Sequence, residues 1–327
     1  MNVTLKRINL IYIFIFILLI LIAGFRLFGW ANDTSNYYEM AINQDVILLS
    51  KKELFFKFLI FINTKLFYRN FTSFLLIFAL LGVSIKLYAF TKLSPIPILS
   101  IILYILSYFW LHEYIQIRAG VATGIFLLAT KDLSEGNTRK YFIKTFLAIM
   151  FHWSSIVLIP LYFLVRKMSI KLIALFPALG IFLYLIGFDF NILIDYVLNI
   201  SGIDPALYYM YAGYKNEINV FNPIAVSYLL IFLGITLLLF RNRYSFSEYE
   251  VTLYKIFSIG IFIFFLTSLL HAPVVAFRLL EYFNIILLIL LPFIVLKFKQ
   301  KIFISTVFIS YFSVYTYFLF TKVIVFN

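Results

Sequence analysis

Four polar groups stand inside or beside apolar segments of this chain, where a charge is expensive. The first is Arg118, in Gln116-Ile117-Arg118-Ala119-Gly120-Val121-Ala122-Thr123-Gly124. An arginine there either snorkels from a helix end or faces a protein interior that binds something. Its planar fork fits phosphate oxygens through paired hydrogen bonds. Gly120 and Gly124 have the small-xxx-small spacing that lets a neighbouring helix come close and hold Arg118 against a ligand. The second is His152, in Phe151-His152-Trp153-Ser154, which reads either as a ligand-facing imidazole or as a histidine bonded to a backbone carbonyl at a helix break. The third is Arg278-Leu279-Leu280-Glu281-Tyr282-Phe283, where Arg278 and Glu281 stand three apart and can also pair with each other. The fourth is Asp33-Thr34-Ser35-Asn36-Tyr37, whose carboxylate reads as a proton acceptor or as a solvated turn residue.

Together these types suit one chemistry. Arg118, Arg278 and His152 match a multiply charged anion, and Asp33 or Glu281 can take a proton from a hydroxyl. No metal is expected: His112 and His271 are far from His152 in sequence, and neither H-E-x-x-H nor D-x-D occurs. The absence of a G-x-S-x-G elbow, a Walker loop and Rossmann glycines leaves no support for nucleotide or nicotinamide cofactors, so none is expected.

The elements that carry these residues must be membrane helices. The 327 residues are 64% hydrophobic and only 13% charged, against about 25% charged in soluble domains. Apolar blocks approach the twenty residues that cross about 30 Å of hydrocarbon. Alternating ten-residue strands are absent, so helices must satisfy the backbone. The expected class is an all-α polytopic bundle of about nine or ten spans. Candidate spans are Ile8–Gly24, Phe71–Phe90, Ile96–His112, Ile115–Thr130, Leu172–Phe188, Pro223–Phe240, Val251–Leu270, Leu279–Leu296 and Ile302–Phe320. The first follows Lys6 and Arg7 and lacks a small-residue cleavage site, so an uncleaved span with its N-terminus inside is expected.

The stretch 141–165 does not fit as a single crossing. Lys131, Arg139, Lys140 and Lys144 precede it, and Arg166, Lys167 and Lys171 follow it. Both flanks belong in the cytoplasm, which demands an even number of passes in too few residues for two full spans. A re-entrant hairpin with His152 to Ser155 at its tip and Pro160 in the return arm meets that demand. With it, the whole net charge of +13 falls on the inner face. A basic inner face suits anionic lipid and needs no nucleic acid. Two outer loops are expected, 26–70 with an interfacial helix over Glu53–Phe67, and 189–222 with Asp195, Asp204 and the tyrosines Tyr208, Tyr209, Tyr211 and Tyr214.

The order Asp33…Tyr37, then Gln116-Ile117-Arg118…Ala122, then Ala148…Phe151-His152…Ser154, then Arg278…Glu281-Tyr282-Phe283 before Pro292, resembles the EpsG-type branch of the Wzy polysaccharide polymerases. One departure is Ala119, where a larger polar residue is expected. The resemblance implies a GT-C-like bundle in the bacterial cytoplasmic membrane that polymerises O-antigen, capsule or exopolysaccharide. Its substrates would be undecaprenyl-pyrophosphate-linked oligosaccharides, one as donor and one as acceptor. A chain-length regulator and a separate flippase are the protein partners it suggests. It implies Arg118, Arg278, His152, Tyr37 and Tyr282 as pyrophosphate contacts, with Asp33, Glu281 and His152 in the chemistry. The competing class is a flippase for the same lipid. Transporters usually carry repeated halves with matching broken helices, and the Arg118 segment and the His152 segment have no second copy.

The parity argument has a direct test. In this cysteine-free chain, single cysteines at Asn137 and Ser169 should both resist a membrane-impermeant thiol reagent applied from outside. Labelling at Ser169 alone would replace the hairpin by one long span.

Overall fold

The computed structural model describes residues 2–26, 34–43, 53–188, 219–241, 245–270 and 273–321. Of these, 85% are helical and none is in a strand, as the all-α expectation requires. Two compact units divide the chain, Met1–Pro160 with Leu288–Asn327 and, separately, Leu161–Leu287. Asp33, His271 and most of the 189–222 loop, including its four tyrosines, lie outside the described residues.

The first unit holds α1 (Asn2–Gly24), α2 (Thr34–Ile42), α3 (Leu54–Phe67), α4 (Phe71–Leu93), α5 (Pro97–Ile105), α6 (Ile117–Glu135) and α7 (Thr138–Phe151). At its centre α4 packs on α1 and α6, and α3 and α5 also touch it. The α3–α4 corner is tight: Tyr68 and Arg69 adopt left-handed backbone, at φ 51° and 63°, and Asn70 caps α4 by accepting from the Ser73 amide. Phe56, Phe74 and Phe78 interlock beneath it and are buried.

Helix α6 ends at Gly136, whose φ of 73° suits glycine at a helix C-terminus. Asn137 follows and α7 returns alongside. Lys144 pairs with Asp132 across the hairpin and donates to the Leu128 carbonyl at 3.4 Å. Counted from Gly136, Arg118 stands 18 residues back and His152 16 residues on (136 − 118 and 152 − 136), so the start of α6 and the residue that ends α7 come to the same end of the hairpin.

Three expected spans are not continuous helices. The segment 96–112 stops as α5 at Ile105 and re-forms as a π-helical turn over Trp110–Ile115. Glu113 lies in that turn, is only 3% exposed, and accepts from Lys86 Nζ at 2.6 Å and Tyr104 Oη at 2.8 Å. Lys86, on α4, is fully buried and also donates to the Gly120 carbonyl at 2.6 Å. A carboxylate that must reach a buried ammonium draws its turn inward. What approaches Gly120 is therefore this turn: a Cβ there would lie 2.7 Å from the His112 carbonyl oxygen. Gly124 meets Ile85 of α4 instead. The segment 172–188 is likewise interrupted at Leu175, just before Pro177, and 279–296 breaks after Asn284.

The second unit holds most of α8 (Leu158–Lys167), then α9 (Ile170–Ala174), α10 (Phe176–Leu185), α11 (Pro223–Phe240), α12 (Glu248–Ser268) and α13 (Pro273–Asn284). Its axis is α12, opened by a capping box in which Ser247 and Glu250 exchange hydrogen bonds. Lys255 of α12 donates to the Val165 and Met168 carbonyls, both at 2.8 Å, and so closes the end of α8. At Gly260 a Cβ would stand 2.6 Å from Phe283 Cβ, which fixes how closely α12 and α13 pack. The chain continues as α14 (Leu287–Leu296) and α15 (Lys301–Leu319).

Among the described residues, α4, α11, α12 and α15 are long and apolar enough to cross a bilayer alone, and 275–284 with 287–296 pass as a broken pair. Nine or ten crossings were expected; of the remaining candidates, α1 and α6 are unbroken helices of 23 and 19 residues, and the others are interrupted.

Lys86→Met alone should cost about 3–5 kcal/mol, because it strands a buried carboxylate. Lys86→Met with Glu113→Leu should recover most of that loss, read as thermal unfolding of detergent-solubilised protein.

Candidate functional site

At the shared end of the α6–α7 hairpin, three expected site residues meet a fourth that was not expected. Arg118 sits in the first turn of α6, and its Nη1 donates to Glu53 Oε2 at 2.5 Å. His152 ends α7 in extended backbone, with Nδ1 3.4 Å from Glu53 Oε1. That distance makes the contact electrostatic rather than a formed hydrogen bond. The helix break leaves the Trp153 amide without a helical acceptor, and it donates to Glu53 Oε1 at 3.4 Å. Tyr37, buried on α2, places its ring 6.0 Å from the Arg118 guanidinium.

Past the end of α7, Pro160 lies in the first turn of α8, where no amide hydrogen is missed. The link between them is a 3₁₀ turn over Trp153–Val157. The chain doubles back here: Tyr141, early in α7, donates to the Leu158 carbonyl at 2.7 Å.

Glu53 stands at the N-cap of α3 yet makes no side-chain cap bond to its own helix. Its carboxylate turns to Arg118 instead. Phe55 stacks on Phe151 at 5.1 Å, and Phe56 lies 4.9 Å from the guanidinium, so the first turn of α3 packs aromatic rings against both α7 and Arg118. Burial alone would push the carboxyl up, but His152 and the Arg118 charge outweigh it and hold it at about 2. The site is thus a guanidinium, an imidazole and a backbone N–H converging on one anion.

Arg278, Glu281 and Tyr282 lie on α13 of the second unit; Arg278 is exposed, Glu281 half-buried and Tyr282 buried. Glu53 escaped notice because Lys51, Lys52 and Lys57 surround it in sequence and suggest a locally neutralised surface charge. The available signal was its place in the expected outer loop 26–70, the same loop that holds Tyr37.

Residues 9–327 match the EpsG family, essentially the whole chain. The chain belongs to the EpsG family. This is a family of polysaccharide polymerases, and membership gives the chain that broad role as a glycosyltransferase-like membrane enzyme. No curated protein and no solved structure matches it.

Because Glu53 is depressed from 4.5 to about 2 on folding, its contribution to stability is complete above about pH 4.5 and is lost as pH falls toward 2. The melting temperature of the wild type should therefore fall more steeply across that interval than that of Glu53→Gln. Parallel curves would show that the ion contact does not stabilise the fold.

Proposed function

We propose that this EpsG-family chain joins lipid-pyrophosphate-linked oligosaccharide repeat units at the outer face of the bacterial cytoplasmic membrane. A hydroxyl of the acceptor unit attacks the anomeric carbon of the donor glycan, and undecaprenyl pyrophosphate leaves. The observation that carries this is the convergence of Arg118, His152 and the Trp153 amide on a single carboxylate. Donors fixed around one anion can equally receive the negative charge that grows on a departing pyrophosphate. One such pre-placed donor is typically worth about 10²–10³ in rate.

In this scheme Arg118 takes phosphate oxygens through its fork, with Tyr37 and Phe56 holding the guanidinium plane. His152 adds a second donor at the break between α7 and α8, whose hairpin is proposed to be re-entrant. Arg278 and Tyr282 are proposed as further pyrophosphate contacts from α13. Asp33 or Glu281 accepts the hydroxyl proton. The pyrophosphate bond of the donor supplies the driving force, so neither nucleotide nor metal is needed.

Purified protein given synthetic lipid-pyrophosphate-linked repeat units, in EDTA and without nucleotide, should make dimers and longer glycans and release undecaprenyl pyrophosphate. Arg118→Ala and Arg278→Ala should each lower the rate by about 10²-fold or more. Lysine at either position should rescue poorly, since it offers a point charge in place of a fork. Folded protein that moves the substrate between leaflets without lengthening the glycan would instead be the flippase.

A further inference from the structure

The cluster around Arg118 is not an empty anion site. Glu53 already fills it, and does so with contacts a phosphate oxygen would make: Arg118 Nη1 at 2.5 Å, His152 Nδ1 at 3.4 Å and the Trp153 amide at 3.4 Å. Only the first is close. The other two stand at the outer limit, so the seat is wider than the carboxylate in it. Buried nitrogens there also keep unused capacity, since Arg118 Nε and His152 Nδ1 have no hydrogen-bond partner. A larger anion with more oxygens would engage what Glu53 leaves.

We infer that Glu53 is the specificity filter of this seat, an internal carboxylate that excludes singly charged phosphodiesters and yields to a doubly charged pyrophosphate diester. This rests on the pyrophosphate role proposed above for Arg118 and His152. The need for a filter follows from the surroundings: a chain in a bilayer is bathed in phosphodiester headgroups, and an open guanidinium at the membrane surface would bind them. A carboxylate tethered in the same chain competes at an effective concentration of about millimolar or more. A ligand with one charge offers the cation no more than Glu53 does. A ligand with two gains roughly twice the Coulomb attraction and also reaches His152 and the Trp153 amide. Held ionised well below neutral pH, Glu53 filters at every physiological pH.

The displaced carboxylate has somewhere to go. Glu53 is the N-cap of α3, and no side chain caps that helix. The first-turn amides and the positive end of α3 lie beside it. Rotating the side chain exchanges an ion contact with Arg118 for a cap on its own helix, so release does not strand a bare carboxylate.

The test uses the full chain in a maltoside detergent free of phospholipid, titrated calorimetrically with inorganic pyrophosphate and with dimethyl phosphate, a singly charged phosphodiester. Wild type should bind pyrophosphate and discriminate strongly against dimethyl phosphate. Glu53→Gln should gain affinity for dimethyl phosphate by about tenfold or more, roughly 1.4 kcal/mol, and so shrink the ratio between the two ligands. Glu53→Asp, one methylene shorter, withdraws the carboxylate from the seat and should shift the ratio the same way by less; it serves if Glu53→Gln does not fold. An unchanged ratio, or parallel weakening of both ligands, would overturn the filter and leave Glu53 as a support for Arg118, with the anion seat intact. If wild type binds neither ligand and Arg118→Ala behaves identically, the seat itself is wrong and the filter falls with it.

Discussion

A charge enclosed by apolar helices has to meet its opposite, and in the first unit that requirement shapes the chain twice. Lys86 and Glu113 satisfy it in the interior, where the ammonium also takes the Gly120 carbonyl and so binds α4, the π-turn and α6 into one block. Arg118 and Glu53 satisfy it two residues before that glycine. The inner pair fixes where α6 begins, and the outer pair uses that position to gather α3, α6 and the end of α7. Without the inner anchor the outer cluster would have no fixed floor.

The two pairs differ in what they leave unused. Around Glu113 every contact is short, with Lys86 and Tyr104 both within 2.8 Å, and a Cβ on Gly82 would collide with the carboxylate. No room exists there for exchange. Around Glu53 one contact is short and two are long, with partly accessible side chains on Arg118 and His152. A closed pair stabilises an architecture; a loose one can be traded for a ligand. Chemistry is therefore assigned to the second.

Much of this was legible in residue types. Composition and block length gave the all-helical class, and α4, α11, α12 and α15 fall close to the apolar blocks that suggested them. The isolated charge of Arg118 and the histidine between apolar arms identified two members of the cluster, because polar groups stand out against hydrocarbon. The partners did not stand out. Glu53 is flanked by lysines, and Glu113 and Lys86 are 27 residues apart on segments that read separately as turn and span. Hydropathy treats each segment alone, whereas an ion pair is a property of two. For the same reason the interruptions at Ile105 and Leu175 were invisible to a count of apolar residues. Nothing in the sequence marked α3 as the element that closes the site rather than one that merely lies near the surface.

The hairpin of α6 and α7 acts as a caliper. Its jaws are Arg118 and His152, its hinge is Gly136, and its opening is set by the residue count in each arm. Each residue added to an arm advances its end by about 1.5 Å and turns it by about 100°. One insertion would swing Arg118 or His152 away from Glu53 even if every side chain were kept. The arms can lengthen only together and by nearly whole turns. The residue count between Arg118 and His152 is therefore constrained in steps, as firmly as the identity of either side chain.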